Sequence, residues 1–167
     1  MDKVKVSDKL LLSVEKPARY TGGELNSIVK ETARLRFALC FPDVYEIGMS
    51  HLGSRILYEV INSREEYACE RCFAPWPDME KAMRENNVPI FTLETRTPLA
   101  ECDIVGFSLL YEMCYTNILT MLDLAHIHKR SADRGENEPI IVAGGGCACN
   151  PEPIADFMDA IMIGDGE

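Results

Sequence analysis

Five short apolar runs stand out along the chain, each closed by proline, glycine or a polar cluster. Phe37 to Phe41 is the first. A continuous apolar run of that length reads as a strand buried on both faces, over about residues 36–41. Pro42 stops it, because proline lacks the N–H that a central strand needs. The other runs predict strands at 88–93, 103–109, 139–143 and 159–163. Tyr67 to Phe73 is an ambiguous sixth that fits a short strand.

Between the runs the period changes from unbroken to helical. Leu52, Ile56, Leu57, Val60 and Ile61 predict a helix over about 50–62, with Ser50 placed to cap it. Pro77 or Asp78 opens a helix over about 78–86. Met113, Ile118, Leu119, Met121, Leu122, Leu124 and Ala125 predict the strongest helix, over about 112–127. A shorter one follows Pro151, near 151–157, and Leu10, Leu11, Leu12 and Val14 suit another within 7–15. Residues 16–31 carry Pro17, Gly22 and Gly23 among mixed polar residues. They read as an arm laid over the domain or packed on a neighbouring one. The expected division is a helix and arm over 1–31 and an α/β domain over 32–167.

Alternating strands and helices predict an open parallel sheet of about five strands with helices on both faces, because right-handed crossovers place them there. In such sheets ligands gather outside the carboxyl ends of the strands. Three loops are expected at that rim. Residues 42–51 bring Asp43, Tyr45, Glu46, Gly48 and His51. Residues 108–112 bring Ser108, Leu110, Tyr111 and Glu112. Residues 144–150 bring Gly144, Gly145, Gly146, Cys147, Cys149 and Asn150.

Composition narrows the classes. The 167 residues are 47% hydrophobic, enough for one core, and carry a formal net charge of −10 with a pI near 4.8. That balance argues against a nucleic-acid binder, which needs a basic stripe. No apolar run approaches a membrane span, and the first residues lack the apolar core of a signal peptide, so no membrane partner and a cytoplasmic location are expected. Seven cysteines in mostly apolar contexts suit reduced thiols better than a disulfide frame.

The candidate chemistry is incomplete. Gly144 to Gly146 permit close approach to a ligand or simply make a tight turn. No Lys-Ser/Thr follows them, as a phosphate-cradling loop requires, and residue 149 is Cys where a dinucleotide fingerprint needs Gly. His51 is either a ligand contact or a hydrogen-bonded residue of a first helical turn. Cys69 and Cys72 have zinc or redox spacing, but no second pair completes a zinc site and no helix opens on them. Cys147 and Cys149 are a weaker pair. Trp76, between two prolines, is a packing residue or, if exposed, part of a partner surface. Spacing assembles no catalytic set and no metal site.

Longer runs carry a resemblance. Phe41-Pro42-Asp43-Val44-Tyr45-Glu46-Ile47-Gly48-Met49-Ser50-His51-Leu52-Gly53 is one, and Phe73-Ala74-Pro75-Trp76-Pro77-Asp78-Met79-Glu80 another. Lys16-Pro17-Ala18-Arg19-Tyr20, Gly106-Phe107-Ser108-Leu109, Tyr115-Thr116-Asn117, Asn150-Pro151-Glu152-Pro153 and Ile163-Gly164-Asp165-Gly166-Glu167 are further examples. Together they resemble the N-terminal, cobalamin-binding-like domain of a family of radical S-adenosylmethionine (radical SAM) iron–sulfur proteins. The resemblance implies a flavodoxin-like sheet of order 2-1-3-4-5. Cobalamin-binding domains share the signature Asp-x-His-x-x-Gly, Ser-x-Leu and Gly-Gly. Here Asp43, Tyr45 and Gly48, then Ser108 and Leu110, then Gly144, Gly145 and Gly146 stand in those places. The cofactor so implied is cobalamin, with Tyr45 where the cobalt-ligating histidine would be and hence no histidine ligand from that position. Small residues at 106, 108 and 144–146 would leave room for its nucleotide tail.

The cluster that cleaves S-adenosylmethionine needs Cys-x3-Cys-x2-Cys, a spacing none of the seven cysteines shows. The iron–sulfur cluster, S-adenosylmethionine and the catalytic step are therefore implied for a following domain, the expected partner within the same chain. The closing Gly164-Asp165-Gly166-Glu167 reads as a strand turn without a final helix, as expected of a piece of something longer. Two other readings stay open: a cofactor-free docking module that keeps the fold, and a flavodoxin-like flavin or nucleotide binder.

Overall fold

A computed structural model describes residues 3–164 and 166. Of the closing turn, Asp165 and Glu167 lie outside the described residues. Five strands form one sheet: β1 (Leu35–Phe41), β2 (Tyr67–Phe73), β3 (Ile104–Ser108), β4 (Ile140–Gly144) and β5 (Ala160–Met162). Their order is β2-β1-β3-β4-β5, and every pairing is parallel. The parallel sheet was expected from the alternation, and this flavodoxin-like order is the one the family resemblance implies. The helices are α1 (Asp8–Leu11), α2 (Tyr45–Ser50), α3 (Leu52–Asn62), α4 (Pro77–Asn86) and α5 (Tyr115–Leu124).

The pleat sends successive side chains to opposite faces, and the two faces differ. On one, Ala38, Cys40, Val105, Phe107, Ile141 and Ala143 lie buried with Met79 and Met83 of α4 and Ile118, Met121 and Leu122 of α5. Val4, Val6 and Leu10 of the N-terminal segment join that core. On the other, Phe37, Leu39 and Cys69 pack with Leu57, Tyr58 and Ile61 of α3. Helices thus lie on both faces, but α3 covers only the β1–β2 side of its own.

The arm is tied down along its length. The Trp76 N–H donates to the Tyr20 hydroxyl at 3.1 Å, and the Ile28 N–H to the Tyr58 hydroxyl at 2.7 Å. Lys30 Nζ donates to the carbonyls of Asn62, Arg64 and Tyr67 at 2.8, 2.6 and 2.6 Å. Gly22, at φ +69°, leaves only 2.4 Å between a would-be Cβ and the Leu93 carbonyl oxygen, so glycine alone fits there.

Beneath the arm lies a buried polar knot. Glu70 accepts from Arg36 and from the hydroxyls of Thr92 and Thr95. Beside it Arg71 pairs with Glu94 at 2.6 Å and lies over the Tyr58 ring. Burial pushes Glu94 upward, against the pull of the Arg71 guanidinium.

Several expectations need correction. Residues 88–93 are no strand of the sheet; their β-bridge is an isolated one, between Phe91 and Pro98. Their N–H groups go elsewhere, Ile90 to the Leu124 carbonyl and Leu93 to the Arg71 carbonyl. The apolar run marks burial there and not strand pairing. Ser50 does not cap α3. It ends α2, while His51 Nδ1 accepts the Ser54 N–H at 3.1 Å as the cap. Only part of the apolar stripe of α3 is buried. Ser54, Tyr58 and Asn62 face inward, and Leu52 is 66% exposed, with Ile56 and Val60 also exposed. Met113 precedes α5 and is 88% exposed. The region near 151–157 holds only a single 3-10 turn at Ala155–Phe157.

Candidate functional site

Parallel strands deliver their carboxyl ends to a common edge, so the loops after Phe41, Ser108 and Gly144 share one rim. Direct contacts join them. The Leu109 N–H donates to the Gly144 carbonyl at 2.7 Å, and the Cys147 N–H to the Leu109 carbonyl at 3.0 Å. Asn117 Nδ2 donates to the Pro42 carbonyl at 2.9 Å, and the Tyr111 hydroxyl donates to Asp43. The other Asp43 oxygen accepts the Val44 N–H at 2.6 Å. Asp43 is thus the clasp between the first two loops.

Gly145 sits at φ +117°, where a Cβ would stand 2.8 Å from the Leu109 carbonyl oxygen. The turn needs glycine there for its own packing. Gly146 is different: nothing lies within 4 Å of its would-be Cβ, and it is exposed. Gly144 pairs in register with Ser108. Leu110 and Met113 are exposed beside them.

Tyr45 and Gly48 share the rim but turn away from its centre. Tyr45 opens α2 and sets its ring edge-on against Phe73 of β2, centroids 5.5 Å apart. Burial and the nearby Glu24 carboxylate push its phenol upward. A Cβ on Gly48 would stand 2.3 Å from the Phe73 ring. That glycine lets α2 lie flat on the ends of β1 and β2. Glu46, on the outer side of α2, is held at about 2 by Arg19, whose guanidinium also lies over the half-exposed Trp76 ring.

Tyr115, at the start of α5, has a buried hydroxyl without a hydrogen-bond partner among the described residues. Burial, then the neighbouring Cys147, raises its pKa. Burial and Glu112 raise Cys147 in turn. The Asp43–Tyr111 clasp was invisible to spacing, because it joins residues far apart in the chain.

Cys69 and Cys72 do not form a ligand pair. Cys69 and Cys72 are three residues apart on a strand, so they point to opposite faces. His51 is a helix cap whose ring lies tilted at 47° against Phe41, centroids 5.4 Å apart. Among the described residues no group of three or more His, Cys, Asp or Glu is placed to hold a metal ion. No helix among them is long and apolar enough to cross a membrane.

The family model described as radical SAM proteins, N-terminal, matches residues 53–167. The chain belongs to that family. The search of curated proteins gives no match. Among solved structures, a novel cobalamin-binding protein from Desulfitobacterium hafniense DCB-2 is similar at 13% identity, with a TM-score of 0.44. The match covers 77% of this chain and 52% of that one, so the chain spans about half its length. Likeness of this degree does not carry that protein's ligand over to this chain.

Proposed function

We propose that this is an accessory domain that sets its carboxyl-end rim against the catalytic domain of a radical SAM protein and positions a cofactor or substrate there. The supporting observation is the rim itself: three loops clasped into one surface, open at Leu110, Met113 and Gly146, on a chain of this family.

Cobalamin is the cofactor that the sequence resemblance implies, with Asp43, Tyr45, Gly48, Ser108, Leu110 and Gly144 to Gly146 around it. The residues do not fit its histidine-ligated form with the nucleotide tail buried in the sheet. Position 45 is a phenol turned onto Phe73. At Gly106, where the tail would need room, the Phe37 ring comes within 2.4 Å of a would-be Cβ and fills the space. A corrinoid on this rim would take no ligand from residue 45, whose ring lies on Phe73, and would find the space beside Gly106 filled by Phe37. Phe37 also favours a second reading, a cofactor-free docking module.

Hydroxocobalamin offered to the full-length protein separates the two. Co-elution of pigment with a shifted visible spectrum, lost in Gly146→Trp, supports a corrinoid on the rim. If neither the natural protein nor Phe37→Ala retains pigment at high micromolar cofactor, the corrinoid is rejected and the docking reading stands. The accessory role itself fails if Gly146→Trp leaves both the assembly with the catalytic domain and its turnover unchanged.

A further inference from the structure

We infer that the outer side of α3 is a surface on which two copies of this protein pair about a two-fold axis, α3 lying antiparallel against α3. The inference is independent of what the rim holds.

The surface is apolar with a helical repeat of its own. Leu52, Ile56 and Val60 recur every four residues and are exposed, on the side of α3 that turns away from Tyr58 and the sheet. Residues at that spacing form one ridge, here about 12 Å long. Across from the ridge stands the arm. Its turn over residues 24–27 is pinned: the Ser27 N–H donates to the Glu24 carbonyl at 3.1 Å, and Arg71 Nη2 to the Ser27 hydroxyl at 2.9 Å. Leu25, at the tip of this held turn, is 91% exposed. A groove of about 500 Å³ runs between Leu25 and the ridge. A leucine fixed in water beside an apolar ridge marks a contact surface.

Charge selects the occupant. Arg55 and Glu59 are exposed and line the same groove, flanking the ridge on its arm side. On α4 the same four-residue spacing joins Lys81 to Glu85 and Glu80 to Arg84. Among the described residues Arg55 and Glu59 form no such pair. Both also stand against the helix dipole, which favours acids early and bases late. Arg55 is the fourth and Glu59 the eighth of the 11 residues of α3, and the helix has no acid in its first turn and no base in its last. A two-fold axis through the ridge answers both features. In an antiparallel pair the flank of one helix meets the same flank of the other in reverse order. Arg55 then faces the partner's Glu59, and Glu59 the partner's Arg55. A flank that reads as its own complement fits a second copy, whereas an unlike partner needs no such order.

Sedimentation velocity on the full-length protein tests this. The natural protein is expected to run as a dimer at micromolar concentration. Arg55→Glu puts two acids on each flank and Glu59→Arg two bases, so each single variant should pair about tenfold or more weakly. Both side chains are exposed, so the fold is kept, and circular dichroism checks it. The two single variants mixed one to one should form a heterodimer, acidic flank against basic flank. The double variant Arg55→Glu with Glu59→Arg should pair as the natural protein does. A monomer at high micromolar concentration overturns the inference, as does a dimer indifferent to the single changes. Failure of either the mixture or the double variant to restore pairing overturns it too. The rim is untouched by these substitutions, so assembly with the catalytic domain reports on the accessory role separately.

Discussion

Replacing Glu70 by alanine should be among the most damaging single changes in the described chain. Its side chain is 1% exposed and that of its partner Arg36 7%. Glu70→Ala leaves the guanidinium with only the Lys30 carbonyl, at 3.2 Å. It also strips an acceptor from Thr92 and Thr95, although Thr95 keeps Thr97 at 2.7 Å. Breaking one side of a buried pair costs about 3–5 kcal/mol, because a desolvated charge is left unmatched. That is a large part of the roughly 5–15 kcal/mol that holds a domain together. With a urea m-value of about 2 kcal/mol/M, the unfolding midpoint should drop by about 2 M. The double variant Arg36→Met with Glu70→Leu removes both charges and should recover most of the loss. A Glu70→Ala cost below about 1 kcal/mol, or a double variant no more stable than the single one, would refute the assignment of an uncompensated charge.

Three further outcomes follow from particular contacts. Gly48→Ala should cost about 1–3 kcal/mol by overpacking, since its Cβ falls 2.3 Å from the Phe73 ring; thermal unfolding measures it, and Phe73→Leu should restore part of the loss. Among the thiols, exposed Cys149 should react fastest with Ellman's reagent, half-buried Cys147 more slowly, and the five buried cysteines only on unfolding; a third fast thiol would contradict the packing. Burial tends to raise Glu138, but the N–H groups of His128 and Gly135 and the His128 ring outweigh it and hold the carboxyl at about 2, below its ordinary 4.5. A depressed folded pKa contributes stability above pH about 4.5 that is lost as pH falls toward 2. Glu138→Gln should therefore be less stable than the natural protein at pH 6, with the gap closing across that acid window in urea titrations.

The sheet was readable because burial on both sides leaves unbroken apolar runs, and Ala38 to Phe41 and Val105 to Phe107 are such runs. The same signal misled at residues 88–93, which are as buried as a strand but hang their backbone on α5 and β2. Apolarity records removal from water, and pairing partners come from elsewhere in the chain. Helical spacing placed α3 within two residues, yet Leu52, Ile56 and Val60 point outward, because Tyr58 and Asn62 have the specific partners that turn the other side in. At the rim, the order of loops was legible from the topology. The direction of each side chain was not. Tyr45 turns to Phe73, Asp43 is held by Tyr111, and Phe37 occupies the space that Gly106 leaves, three contacts between segments that no local pattern links.

The outer strand β2 is an edge in name only. Asn62 takes both backbone groups of Cys69, each at 3.0 Å, while Glu94 and the Leu93 N–H occupy those of Arg71. A foreign strand arriving at this border finds no free donor or acceptor at those residues, the usual safeguard against runaway sheet extension. Lateral growth of the molecule is thereby confined to the far border, where β5 offers three residues. Intermolecular β-aggregates, where they form, should be seeded there.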